Sequence, residues 1–227
     1  MGEKAARTKV INKLVSVLDD QSEYVRMNAV KALGSMGEKA ARTEVINKLA
    51  SVLGDQSERV RMNACKALRS MGEKAARTEV INKLVSALEH RSDRLRINAV
   101  KALRSMGEKE ATTEVINKLV SALEHRSDRL RINAVKALRS MGEKEATTEV
   151  INKLVSALEH RSDRLRINAV KALRSMGEKA ATTEVINKLV SVLGDQSERV
   201  RMNACKALRS MGEKAATTEV INKLVSA

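Results

Sequence analysis

The sequence predicts an all-α protein, a superhelix of stacked two-helix repeats, and three observations support this fold class. The segment Met-Gly-Glu-Lys returns every 35 residues without insertion or deletion, at Met1, Met36, Met71, Met106, Met141, Met176 and Met211. Self-similarity at a fixed period of this size is typical of solenoids, whose units bury their apolar faces only against neighbours. Apolar residues also recur at helical spacing within each unit. Finally, Tyr24 is the only aromatic residue and proline is absent, a composition that disfavours strands.

The period predicts a single solenoid over residues 1–227. It consists of six full repeats and a half repeat, with predicted boundaries at 1–35, 36–70, 71–105, 106–140, 141–175, 176–210 and 211–227. Repeats 106–140 and 141–175 are identical residue for residue, which indicates either recent duplication or deliberate construction. The chain is therefore interpreted as an engineered array or a trimmed natural one.

The first helix of each repeat follows a short Gly-Glu-Lys connection, and Thr113 is its expected N-cap in repeat 106–140. Helical spacing places five aliphatic residues on its buried face: Val115, Ile116, Leu119, Val120 and Leu123. The same spacing leaves Glu114, Asn117, Lys118 and Ser121 for solvent.

The second helix follows a short turn, which makes the two helices antiparallel neighbours. Ser127 is expected to cap this helix, and Gly142 to end it, because a left-handed residue commonly follows the last turn. The predicted apolar stripe contains Leu130, Ala134, Ala137, Leu138 and Met141, with Ile132 and Val135 beside it. The opposite, solvent-facing arc is predicted to contain Arg129, Asn133, Lys136, Arg139 and Ser140.

An arginine near the edge of this stripe is predicted to be structural. Its stem is expected to lie across neighbouring aliphatic side chains, while its guanidinium group reaches a carbonyl or carboxylate of an adjacent repeat. The series comprises Arg26, Arg61, Arg96, Arg131, Arg166 and Arg201.

The segment Val25-Arg26-Met27-Asn28-Ala29-Val30-Lys31-Ala32-Leu33-Gly34-Ser35-Met36-Gly37 resembles the second helix of HEAT-like repeats of the phycobilisome-lyase type. Consensus-designed arrays of that family are similar. Two departures are a longer unit and the lack of Asp-Pro before the second helix. The resemblance implies a right-handed superhelix with second helices lining its concave face, and it implies no particular ligand.

A 35-residue period also resembles pentatricopeptide RNA-binding repeats. The segment Glu-Val-Ile-Asn-Lys-Leu-Val-Ser-Ala-Leu is similar to the start of their first helix, with Asn117 near a base-reading position. The second helix is then out of register, and the proline before each repeat is missing. The HEAT-like resemblance is therefore favoured.

The formal net charge is +15, and its excess lies on the second helices, where stacking would align arginine and lysine side chains. The candidate binding residues on the concave face are Arg59, Arg94, Arg129, Arg164 and Arg199; Lys66, Lys101, Lys136, Lys171 and Lys206; and Arg69, Arg104, Arg139, Arg174 and Arg209. The expected partner is a protein or an acidic peptide. A nucleic acid is the alternative partner, although no aromatic residues interleave to stack bases. A third interpretation is a solvated surface that only keeps the stack soluble.

No catalytic chemistry is predicted. His90, His125 and His160 occur once per repeat, which separates them by roughly 10 Å, whereas zinc ligands lie about 2 Å from the metal. No Ser/His/Asp set, paired carboxylates or glycine-rich phosphate loop can be assembled from the sequence. We therefore expect a non-enzymatic scaffold without metal or cofactor.

The ends and the cysteines complete the expectations. Cys65 and Cys205 occupy equivalent positions four repeats apart and are predicted to be small buried hydrophobic residues in a reducing compartment. With no membrane-spanning run and no signal peptide, a cytoplasmic or nuclear location and no membrane partner are expected. Val10, Ile11 and Leu14 repeat the internal pattern where a capping repeat would be polar, so end-to-end self-association is predicted.

Overall fold

The computed structural model describes residues 2–107, 112–142 and 146–215. Within these ranges the backbone is helical and contains no strand, which confirms the all-α prediction. The α-helices are α1 (Gly2–Ser16), α2 (Glu23–Met36), α3 (Thr43–Val52), α4 (Glu58–Met71), α5 (Thr78–Ser86), α6 (Asp93–Ser105), α7 (Thr113–Ser121), α8 (Asp128–Ser140), α9 (Thr148–Ser156), α10 (Asp163–Ser175), α11 (Thr183–Ser191) and α12 (Glu198–Ser210). Short 3-10 helices connect many of them, at Val17–Asp19, Gly37–Ala40, Gly72–Ala75, Ala87–Glu89, Ala122–Glu124, Ala157–Glu159, Gly177–Ala180, Val192–Gly194 and Gly212–Ala215.

The chain divides into two compact units, Met1–Val115 and Ile116–Ala227. In the first unit, the second helices α2, α4 and α6 pack in order, and each first helix packs on the second helix of its own repeat. In the second unit, α8, α10 and α12 pack in the same way. Within each unit, the second helices therefore form one continuous layer. One solenoid over the whole chain stays a prediction.

The core lies where the aliphatic pattern placed it. In α8, Leu130, Ala134 and Leu138 are at most 2% exposed, and in α7 the same holds for Val115 and Leu119. In these two helices the apolar stripe is buried by neighbouring helices, so helical periodicity identifies their core.

The N-cap of α7 differs from the prediction, because Thr112 rather than Thr113 caps the helix. The Val115 amide donates to Thr112 Oγ1 at 3.3 Å, and Thr147 and Thr182 accept in the same way. Thr113 is instead the first helical residue. The cap must stand three residues before the amide that it accepts from, and only the first threonine of the pair meets this requirement.

The ends of α8 match the prediction in position. Ser127 has extended backbone at the N-cap, although its hydroxyl accepts no capping hydrogen bond there, and the equivalent Ser92 accepts from the Leu95 amide at 3.4 Å. Gly142 follows the helix with a φ of 72°. Glycine is required at this point because L side chains rarely adopt positive φ.

Asn133 is not on the solvent-facing arc, so its predicted exposure is wrong. It is 8% exposed, and its Nδ2 donates to the Arg129 carbonyl oxygen at 2.6 Å. Asn63 and Asn203 are buried in the same way. A buried amide that bonds to its own helix loses little on leaving water, which explains why a polar residue is tolerated here.

The two cysteines differ, which corrects the prediction that both are buried. Cys65 is buried, and burial raises the pKa of its thiol to about 12. Cys205 is exposed. In the first unit α4 packs between α2 and α6, whereas among the described second helices α12 packs against α10 alone. Burial at this position therefore depends on the following repeat.

Candidate binding surface

The fifteen basic residues predicted to bind occupy three equivalent positions on the second helices, and each set of five is called a row. The first arginine row (Arg59, Arg94, Arg129, Arg164 and Arg199) occupies the second residue of α4, α6, α8, α10 and α12, and all five side chains are exposed. The second arginine row (Arg69, Arg104, Arg139, Arg174 and Arg209) lies in the last helical turn and is also exposed. There its charge is favoured by the helix dipole.

The lysine row lies between the two arginine rows along each helix. Lys66 and Lys206 are exposed, whereas Lys101, Lys136 and Lys171 are half-buried. The charge offered to a partner is therefore carried mainly by guanidinium groups.

Each row is repeated on neighbouring helices of a unit. In the second unit, α8, α10 and α12 place three arginines of each row on adjacent helices. In the first unit, α2 carries Tyr24 and Gly34 at the two arginine positions, so the arginine rows begin at α4. Near the first row, the Glu23 carboxylate lies 4.0 Å from Arg59 Nη1.

A second polar feature lies at the turns that precede the second helices. The series Arg26, Arg61, Arg96, Arg131, Arg166 and Arg201, which we call the junction arginines, is half-buried. Arg26 Nη1 donates to the Asp20 and Gln21 carbonyl oxygens at 2.7 and 2.9 Å, and Arg166 and Arg201 bind the carbonyls of their own turns similarly. The carbonyl oxygens that these arginines bind belong to their own turns, whereas the prediction placed the contact in an adjacent repeat.

Two junction arginines also bind a carboxylate of the next repeat. Arg26 Nε and Nη2 lie 2.7 and 3.0 Å from the two carboxylate oxygens of Asp55. Arg166 Nη2 donates to Asp195 Oδ1 at 2.9 Å, and its Nε lies 2.7 Å from Oδ2, although that N–H is not aligned for a hydrogen bond. These bidentate contacts tie consecutive repeats together.

The two carboxyl groups respond to these contacts. Burial acts to raise the pKa of Asp55, but hydrogen bonds from Arg26 and from the Ser57 amide outweigh it and hold the pKa below its ordinary value. The pKa of Asp195 is lowered by the same balance of causes. Both groups are therefore carboxylates at neutral pH.

Histidine stands at the Asp55 position in the third, fourth and fifth repeats. The Ser92 amide donates to His90 Nδ1 at 3.0 Å. The Nδ1 atoms of His125 and His160 accept from the amides of Ser127 and Ser162 in the same way. The neutral rings consequently carry their proton on Nε2. All three rings are half-buried.

The junction arginines Arg96 and Arg131 differ from Arg26 in the carboxylates that they bind. Arg96 and Arg131 bind Asp93 and Asp128 of their own helices. Burial, followed by the charge of Arg131, lowers the pKa of His160. In the described part of the chain, no three His, Cys, Asp or Glu side chains converge as a metal site requires.

No helix in the described ranges combines the length and the hydrophobicity needed to cross a membrane. Helical hairpins packed repeat on repeat define the class of the molecule, an α-helical solenoid repeat protein. Residues 6–226 match the family described as the Adaptin N terminal region, so the chain belongs to that family.

Several solved structures with a similar fold are engineered proteins. A designed armadillo repeat protein in complex with the peptide (KR)4 has a TM-score of 0.75 at 20% identity, over 88% of this chain and 98% of that one. An engineered protein has a TM-score of 0.73 at 24% identity, over 89% and 98%. The archaeal HEAT-like repeats protein from Thermococcus onnurineus NA1 has a TM-score of 0.67 at 17% identity, over 91% and 88%. A comparison with curated proteins finds no match. The predicted resemblance to HEAT-like repeats is confirmed.

Proposed function

We propose that this chain is a non-enzymatic scaffold that binds an acidic segment of a protein partner along the basic rows. The observation that carries the proposal is the repetition of exposed guanidinium groups on adjacent second helices, most regularly on α8, α10 and α12. Cations repeated at equivalent positions of adjacent helices suit an extended peptide that presents carboxylates in series, because each arginine can bind a carboxylate in a bidentate manner.

The charge of the partner follows from the charge of the chain. A designed armadillo repeat protein of similar fold is in complex with a basic peptide. This chain has a net charge of +15, so the complementary peptide is acidic. Electrostatic complementarity of this kind accelerates association and excludes partners of the wrong sign.

The experiment is fluorescence anisotropy with an octapeptide of alternating glutamate and glycine, and with (KR)4 as the peptide of opposite charge. The test variant reverses three residues of the first arginine row, Arg129→Glu, Arg164→Glu and Arg199→Glu. We expect affinity for the acidic peptide to fall by about tenfold or more, because close charge pairs become repulsive.

The matched control reverses three exposed arginines of the turns, Arg91→Glu, Arg126→Glu and Arg161→Glu, which changes the net charge equally. We expect this control to bind within about threefold of the unmodified chain. Equal losses in both variants would mean that the peptide responds only to net charge, and the proposal would fail.

Nucleic acid is the competing outcome of the same experiment. A single-stranded or duplex oligonucleotide that contacts several phosphates should lose affinity steeply between about 50 and 200 mM salt. Tighter binding of an oligonucleotide than of the acidic peptide, abolished by the row variant, would replace the proposed partner with nucleic acid.

We further propose that the chains associate end to end. Val10 and Val25 are 49% and 39% exposed at one end, while the equivalent Val45 and Val60 are at most 1% exposed. Met202 of α12 is 46% exposed, while the equivalent Ile97, Ile132 and Ile167 are at most 9% exposed. Val10, Val25 and Met202 thus present apolar surface that is covered at the equivalent positions of other repeats. Sedimentation at up to about millimolar protein should reveal a mass that rises with concentration. A strict monomer throughout would exclude this association.

A further inference from the structure

The junction between the second and third repeats lacks two acidic groups that the first junction has. At the first junction, Asp55 binds Arg26, and Asp19 forms an ion pair with Lys48. At the second junction, the residues equivalent to Asp55 and Asp19 are His90 and Gly54. The equivalent cations, Arg61 and Lys83, are both present. The second junction therefore keeps its two cations without the two carboxylates.

Arg61 is only partly satisfied. Its Nη1 donates to the Asp55 and Gln56 carbonyl oxygens, the latter at 3.0 Å. Its buried Nε has no hydrogen-bond partner among the described residues. Its Nη2 lies 3.2 Å from His90 Nε2, which carries the proton of the neutral ring because Nδ1 accepts from Ser92. Two donors thus face each other where Arg26 has a carboxylate.

The helix that carries Arg61 does not supply the missing carboxylate either. Arg96 binds Asp93, three residues earlier on its own helix. The residue three before Arg61 is Glu58, and its Oε1 accepts instead from the Ser92 hydroxyl at 2.5 Å. The Asp55 carboxylate lies close enough to interact with Arg61 electrostatically, but no carboxylate of the described residues makes a bidentate contact with it. A half-buried guanidinium group of this kind retains a strong preference for a bidentate acceptor.

Lys83 is in a similar position. The equivalent Lys153 and Lys188 form ion pairs with Glu124 and Glu159 of the preceding repeat. Gly54 stands at the position of these glutamates, so Lys83 has no such partner in the preceding repeat. Its Nζ instead lies 3.1 Å from Oε1 of Glu79 on its own helix, in a largely exposed contact. Exposed pairs of this kind are weak and exchange readily for a better partner.

A cavity of about 420 Å³ lies at this junction. Arg61, Lys83 and His90 line it together with the apolar side chains of Leu53, Ala87 and Leu95. Its volume is in the range that small-molecule and side-chain ligands occupy. We propose that this cavity binds a ligand with two carboxylates, one on Arg61 and one on Lys83, in the places that Asp55 and Asp19 fill at the first junction.

Glu89 also lines the cavity, and its charge opposes a dianion. Its equivalents Glu124 and Glu159 form ion pairs with a lysine of the following repeat. By position, Glu89 is therefore an acidic group of the next junction, between the third and fourth repeats. Because the negative charge of Glu89 weakens binding of a dianion, a small dicarboxylate is expected to bind with a dissociation constant of about 1 mM.

The test follows the arginine Nε–H resonances in ¹H–¹⁵N spectra while glutarate is added at constant ionic strength. We expect a saturable shift at Arg61 and none at Arg26, where Asp55 already occupies the guanidinium group. A chloride titration over the same range should leave Arg61 unmoved. Equal shifts at both junction arginines would indicate general anion accumulation and would overturn the proposal.

The decisive variant is Gly54→Asp combined with His90→Asp, which installs the two carboxylates of the first junction. A Cβ at Gly54 would approach the Ser51 carbonyl oxygen to 3.4 Å, an ordinary contact, so the variant should fold. Glutarate affinity should fall by about tenfold or more, while the melting temperature does not fall. Unchanged glutarate affinity in this variant would contradict the proposal.

The converse variant, Asp19→Gly with Asp55→His, should create a second glutarate site at Arg26. Failure to do so, with the fold intact by circular dichroism, would show that the missing carboxylates do not define the site. An acetylated, amidated Glu-Gly-Glu peptide is titrated in parallel. Tighter binding of the peptide would assign the carboxylates to a protein ligand, and tighter binding of glutarate would assign them to a small molecule.

This site is separable from the basic rows. The Arg129→Glu, Arg164→Glu and Arg199→Glu variant should leave the glutarate shift at Arg61 unchanged, because these residues belong to the other unit. Failure of the carboxylate site and failure of the proposed peptide-binding surface are thus distinguishable.

Discussion

At the first junction, Arg26 is held by both oxygens of Asp55, whereas at the second junction Arg61 meets the protonated nitrogen of His90. The helices beneath the two junctions pack alike, since α2 packs on α4 as α4 packs on α6. The comparison shows that the aliphatic layer and the polar turns contribute separately to the stability of a junction. A substitution at one turn position changes the ligand of an arginine without altering the packing below it.

The largest effects should be the same at both junctions, because the aliphatic layer is shared. Leu33 and Leu68 are both 0% exposed. Leu33→Ala and Leu68→Ala are each expected to lower the free energy of unfolding by about 2–5 kcal/mol, measured by urea denaturation. The surface control Lys66→Ala should change it by less than about 0.5 kcal/mol. A large loss at only one of the leucines would show that the two junctions pack differently.

The next effect should separate the junctions. Asp55→Ala removes a carboxylate that is 9% exposed and leaves Arg26 half-buried without an anion, at an expected cost of about 1–3 kcal/mol. His90→Ala removes no anion from Arg61, and its expected cost is below about 1 kcal/mol. Thermal denaturation of both variants measures the difference. Equal costs would mean that Asp55 acts only as the cap of its turn.

The two kinds of turn should also lose stability in different pH ranges. The folded pKa of Asp55 and Asp195 is lowered, so their contribution is present above the unfolded value of about 3.9 and is lost as pH falls through the folded pKa. The folded pKa of His160 is lowered too, so the unfolded chain takes up a proton first as pH falls below about 6.5. Melting temperatures should therefore decline as the pH falls below about 6.5, and His160→Gln should flatten that decline while leaving the acid limb below about pH 4 in place. An identical profile in the variant would contradict the assignment.

The smallest effect concerns the exposed lysines. Lys48→Ala breaks an ion pair with Asp19 in which the lysine side chain is 29% exposed and the aspartate side chain 70% exposed. Lys83→Ala breaks only a contact within one helix. Both variants should change the free energy of unfolding by about 0.5 kcal/mol or less. A larger loss for Lys83→Ala, in the absence of any ligand, would mean that Lys83 already has a partner across the junction.

Much of the fold could be predicted from the sequence, because helical periodicity determines which aliphatic residues are buried. Leu130, Leu138 and Val115 are buried as predicted. The structural role of the junction arginines could also be predicted, since a long basic side chain at the edge of an apolar stripe has few other positions to adopt.

The errors share a physical cause. The helical pattern predicts that Asn133 is exposed and that Cys205 is buried. Burial in a repeat protein, however, also depends on which neighbour covers each helix face. Thr112 and Thr113 could not be distinguished, because the cap is selected by backbone conformation at the first turn. The contacts between Arg26 and Asp55, or between Arg61 and His90, join residues 29 positions apart, and this register becomes visible only when the repeats are stacked.

The junction comparison is tested most directly by the melting temperature of the single variant His90→Asp. If the residue at this turn determines whether a junction arginine is satisfied, the new carboxylate should bind Arg61 as Asp55 binds Arg26. The melting temperature should then rise, with a gain in the free energy of unfolding of about 1 kcal/mol. An unchanged or lower melting temperature, with the Arg61 Nε–H resonance unmoved, would contradict the comparison.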